Sequence, residues 1–70
     1  MDLKQKIGLR VRAARTNRKL TQEQLAEKID KTVETVSNIE RGRTLPALDT
    51  LERLGRVLSI PLREFFGEEE

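Results

Sequence analysis

Apolar residues recur along this chain at intervals of three and four, and no stretch alternates at intervals of two. Leu3, Ile7, Val11 and Ala14 form one stripe and predict a first helix from about Leu3 to Asn17, with Lys4, Lys6, Arg10 and Arg12 on its wet side. Gly8 lies inside that helix, where it costs about 1 kcal/mol against Ala and calls for a close helix contact. Leu9 falls off the stripe, either half exposed or in an interface. A second helix starts at Thr21, which has capping-box spacing to Gln24; Leu25, Ala26 and Ile29 are its inner face. Asp30-Lys31 is a turn. Thr32 caps a third helix running to about Glu40, with Val36 and Ile39 inward and Val33 near the tip. Gly42 is placed to end it in a left-handed cap. After the basic loop Arg41 to Pro46, a fourth helix is expected from about Ala47 to Leu58, turning Leu48, Leu51, Leu54, Val57 and Leu58 inward. Pro61 fits the first turn of a short fifth helix ending at Phe66. Links of about 2–6 residues between such helices predict an all-α fold, a compact five-helix bundle.

Seventy residues make one domain, expected over 1–66, with Gly67 and Glu68–Glu70 as an acidic C-terminal tail. A chain this short buries roughly 60% of its unfolded surface, so its core is marginal unless idealised or shared with a partner. No separate ligand-sensing domain is expected in seventy residues. With no Cys and no His, disulfides, Cys/His zinc sites and the commonest general base drop out. Neither a Gly-rich phosphate loop nor a catalytic constellation appears, so no enzyme, cofactor or metal is expected. No apolar run approaches the roughly 20 residues of a membrane span, and no signal peptide is visible; a cytoplasmic protein is expected.

Charge sharpens the picture. The net charge is only +2, but residues 1–43 hold eleven Lys/Arg against six Asp/Glu, whereas 44–70 hold three against six. A solvated surface in a charge-rich protein has the same look, yet this asymmetry also suits a polyanion on one face. The turn at Asp30-Lys31 is too short for antiparallel packing, so helices 2 and 3 must cross steeply as a helix-turn-helix. Thr32, Val33, Glu34, Ser37 and Asn38 then share the outer face of helix 3. None is long and basic, so they suit base edges more than phosphates: Val33 for a thymine methyl, Glu34 for a cytosine amino group, Ser37 and Asn38 for bases or backbone. Backbone grip is expected from Thr21 and Gln22 at the start of helix 2, and from Arg41 and Arg43 around Gly42. The two arginines would also stabilise the helix C-terminus by about 0.3–1 kcal/mol each.

Ile7-Gly8, Arg15, Leu20-Thr21-Gln22, Leu25-Ala26, the run Val36-Ser37-Asn38-Ile39-Glu40-Arg41-Gly42, Pro46 and Leu48-x-x-Leu51 together resemble the λ-repressor/Cro-like, xenobiotic-response-element type of helix-turn-helix DNA-binding family. The resemblance runs from Ile7 to Phe66. It implies that Arg15 and Glu40 form a buried ion pair and that Gln22 touches phosphate. It also implies that Thr32, Val33, Glu34, Ser37 and Asn38 contact bases and backbone, and that Arg41 and Arg43 lie in a phosphate-contacting loop. The chain departs from the pattern at Asp30, where Gly is usual, at Lys31, often apolar, at Ala47, often a Ser or Thr cap, and at Ser59, often Gly.

The expected partner is double-stranded DNA, read by a homodimer through two half-sites roughly 34 Å apart. Leu62, Phe65 and Phe66 are the expected dimer surface; being adjacent, Phe65 and Phe66 cannot both enter one core. The leading expectation is a sequence-specific transcriptional regulator. The alternative is an antitoxin or other module that binds a partner protein and uses DNA secondarily, marked by Leu9, Leu62 and Phe66.

Overall fold

A computed structural model describes residues 1–67 as four α-helices followed by a short 3-10 helix: α1 (Leu3–Asn17), α2 (Gln22–Lys28), α3 (Val33–Glu40), α4 (Leu48–Leu58) and η1 (Leu62–Phe66). Glu68–Glu70, most of the expected acidic tail, lie outside the described residues. Among the described residues no helix is long and apolar enough to cross a membrane.

Local chemistry sets the helix starts. Asp2 opens α1 with a reciprocal box: the Gln5 amide donates to Asp2 Oδ1 (2.9 Å) and the Asp2 amide donates to Gln5 Oε1 (3.1 Å). Thr21 and Gln24 repeat the arrangement on α2 at 3.0 and 2.8 Å. Thr32 caps α3 by accepting from the Thr35 amide at 3.1 Å. Ala47 has no side-chain oxygen to offer, and α4 starts without such a bond. At its other end Ser59 turns left-handed (φ 58°), the conformation Gly adopts most readily.

The core joins all five elements. Ile7 and Val11 of α1 meet Leu25, Ala26 and Ile29 near α2, Val36 and Ile39 of α3, Leu51, Leu54 and Leu58 of α4, and Ile60 and Phe65 near the C-terminus. Gly8 is buried where α1 crosses α3: a Cβ there would stand 2.8 Å from the Glu40 carbonyl oxygen and closer still to that of Ile39. The glycine lets the two backbones meet.

Three expectations need correction. The fifth element is a 3-10 helix, not an α-helix. Confined between Pro61 and a left-handed Gly67, it closes with i→i+3 bonds, Glu64 to Pro61 (2.9 Å) and Gly67 to Glu64 (3.3 Å). Leu48 does not point inward but is 64% exposed. It is the first residue of α4, past the edge of the core, and Thr50, one turn before Leu54, takes the buried place. Phe65 is not available to a dimer surface, because it is one of the largest buried side chains of the core at 1% exposure.

Candidate nucleic-acid interface

The link from α2 to α3 is four residues, Ile29 to Thr32. Asp30 takes it round in a left-handed conformation (φ 60°), which a short polar side chain tolerates better than most. Two backbone bonds close the turn, Asp30 to Glu27 (3.2 Å) and Lys31 to Ala26 (2.9 Å). Lys31 itself stays exposed. From the far side, Arg53 Nη1 donates to the Ile29 carbonyl at 3.0 Å and satisfies an acceptor at the end of α2. The two helices are thus held by backbone bonds and by the buried residues Leu25, Ala26, Val36 and Ile39.

This packing uses one side of α3 and leaves the other to solvent. Thr32, Val33 and Glu34 are exposed, Val33 by 39%, and Ser37 and Asn38 are half-buried. They form the outer face of the leading turns of α3. The Thr32 hydroxyl is engaged in its own cap and in a 3.0 Å bond with Thr35 Oγ1, which ties that side chain down.

The end of α3 is equally ordered. Gly42 turns left-handed (φ 74°), its amide bonds to Ile39 (3.0 Å), and the Arg43 amide reaches back to Asn38 (2.9 Å). These paired bonds satisfy the last carbonyls of the helix. They also leave Arg41 and Arg43 exposed on either side of the glycine.

Behind the face lies a buried polar knot. Arg15 Nε donates to Glu40 Oε2 at 2.6 Å and Arg15 Nη2 to Glu40 Oε1 at 3.1 Å. The two side chains are 12% and 3% exposed. Arg15 Nη1 donates to the Leu20 carbonyl (2.7 Å), and Gln22 Nε2 donates to Glu40 Oε1 (3.1 Å). Among the described residues no buried side-chain nitrogen or oxygen lacks a partner. The bond from Gln22 to Glu40 was invisible in the sequence, since the two residues are 18 apart and neither has a distinctive spacing. The Asp2–Gln5 box is a local signal that the helical stripe overshadowed.

Two packed helices, a tight left-handed turn between them and a second helix with one face in solvent define a helix-turn-helix on a compact all-α scaffold. Residues 11–65 match the sequence profile of the helix-turn-helix family. The immunity repressor of Bacillus phage phi105 is 44% identical over 63 residues, which cover 90% of this chain and 44% of that protein. The Escherichia coli regulator PuuR is 36% identical over 63 residues, 90% of this chain and 34% of that protein. Among solved structures, Bacillus thuringiensis PlcR in complex with the peptide PapR7 and DNA superposes with a TM-score of 0.82 at 37% identity, covering 89% of this chain and 22% of that one. The chain belongs to the Cro/C1-type helix-turn-helix family. It spans less than half the length of the phage repressor and about a third of PuuR.

Proposed function

We propose that this chain is a sequence-specific DNA-binding transcriptional regulator that places α3 in the major groove and acts on a two-fold operator as a homodimer. One observation carries the reading: the leading turns of α3 are turned to solvent while its other face is locked into the core. Val33, Glu34, Ser37 and Asn38, with Thr32 at the helix start, are the proposed base-reading positions. Thr21, Gln22, Arg41 and Arg43 are the proposed phosphate contacts, which give register and affinity but no base information. The kinship with a phage immunity repressor and with a regulator solved on DNA supports this assignment. Residues 1–66 are the proposed binding domain.

Size supports two copies. The molecule extends 30 × 22 × 21 Å, and successive turns of one groove lie roughly 34 Å apart. These dimensions are compatible with one copy on each half-site. Leu62 and Phe66, 41% and 39% exposed, are the apolar residues proposed to meet their equivalents. A second reading, a module that captures a partner protein, draws on Leu9, which is exposed and lines a surface cleft with Met1, Gln5, Glu40 and Arg41. Co-purification separates the two, because a capture module brings down one stoichiometric protein partner.

The test is a titration of DNA from upstream of the protein's own gene against random DNA at several salt concentrations. The expected result is a log–log salt slope of about −0.9 per phosphate neutralised and a gap of about 10³-fold or more between the two DNAs. Equal affinity for both would contradict sequence-specific recognition.

A further inference from the structure

Gln22 is held in an unusual way for a residue at the start of a surface helix. Its Nε2 donates to Glu40 Oε1 at 3.1 Å, and the same oxygen accepts from Arg15 Nη2 at 3.1 Å. An ionised carboxylate only accepts hydrogen bonds, so the nitrogen of the Gln22 carboxamide must be the atom that faces it. The flip of the amide is therefore decided by chemistry. One N–H is spent on Glu40, and the second N–H of the same planar group is fixed in direction with it.

A carboxylate so close to a phosphate contact should repel the DNA. Here its charge is balanced in place, because the Arg15 guanidinium binds both Glu40 oxygens while its Nη1 donates to the Leu20 carbonyl (2.7 Å) at the entry to α2. The knot therefore links α1, the start of α2 and the end of α3. A preset donor loses less freedom on binding than a mobile one.

We infer that Glu40 is a positioning residue for DNA binding: paired with Arg15, it orients the Gln22 carboxamide so that its remaining N–H is presented to a backbone phosphate. This rests on the reading of Gln22 as a phosphate contact. The effect is independent of sequence, since a phosphate carries no base identity.

The experiment is a thermodynamic cycle on a labelled random-sequence duplex, read by fluorescence anisotropy. It uses wild type, Gln22→Ala, the paired substitution Arg15→Met with Glu40→Leu, and all three together. The paired substitution replaces a buried ion pair by apolar groups of similar volume, a change that proteins often tolerate; circular dichroism checks that it folds. Expected losses are about 3–10-fold for Gln22→Ala and a similar factor for the pair, with the triple variant no weaker than either, the coupling expected of groups acting as one. Losses that multiply, or a Gln22→Ala protein that binds as wild type does, overturn the inference while leaving DNA binding intact. Wild-type protein that binds no duplex overturns the functional reading and this inference with it. A second measurement needs no variant: NMR relaxation of the Gln22 side-chain amide in wild-type protein should show it as restrained as the helix backbone, and free reorientation would overturn the inference.

Discussion

At the scale of single residues, the least replaceable groups are the buried ones of the polar knot. Glu40 accepts from both Arg15 and Gln22 and is nearly sealed from water. Glu40→Ala leaves the Arg15 guanidinium without its partner, a loss of about 3–5 kcal/mol. A domain of this size has only about 5 kcal/mol to spare, so the variant should be largely unfolded at room temperature, as far-ultraviolet circular dichroism would show. A melting temperature within a degree or two of wild type would contradict the burial seen here. Gly8→Ala probes the same seam from the other side. The added methyl gains about 1 kcal/mol in helix propensity, but it meets two backbone carbonyls that cannot swing away. The net effect should be destabilising by about 1–3 kcal/mol, read as a lower midpoint in urea.

At the scale of elements, the caps explain why the helices begin and end where they do, and they show what the sequence made legible. Thr21, Thr32 and Gly42 act within one turn of themselves, so their roles could be read from neighbours three or four residues away. The same holds for the stripe through Ile7 and Val11. What escaped depends on distant partners. Whether Phe65 or Phe66 enters the core is decided by how α1 and α4 meet η1, and a doublet carries no information about that. Leu48 fits the helical period of α4 yet lies past the edge of the core, since periodicity gives a direction and not a neighbour. For the site, the outer face of α3 was legible because it is what the inner face leaves over, whereas the tie of Gln22 to Glu40 was not. One weakness can be repaired. Ala47 already has the extended conformation of a capping residue (φ −63°, ψ 159°) but no oxygen. Ala47→Ser should add about 1 kcal/mol, raising the melting temperature by about 4–8 °C. An unchanged melt would show that the start of α4 is stabilised by other means.

At the scale of the whole molecule, the fold divides stability from recognition. The core and the polar knot hold α2 and α3 together across their four-residue link, and the residues proposed to read DNA contribute little to that core. Substitutions at Glu34 or Asn38 should therefore alter binding with little effect on melting. The proposed two-fold assembly makes a separate demand on the C-terminal surface. Leu62→Lys with Phe66→Lys should shift the protein to a monomer in sedimentation velocity and weaken binding to a two-fold site far more than to a half-site; a wild-type protein that is already monomeric on DNA would contradict that assembly.

The central claim is that the exposed leading turns of α3 choose the sequence while the flanking arginines only grip. Selection of binding sites from a random duplex pool tests it directly, with wild type, Glu34→Ala, Asn38→Ala and Arg43→Ala run in parallel. Wild type should enrich one sequence, Glu34→Ala and Asn38→Ala should change the preferred bases at a few positions, and Arg43→Ala should recover the wild-type sequence with uniformly weaker binding. Identical recovered sequences for wild type and both α3 variants, or a new sequence from Arg43→Ala, would contradict it.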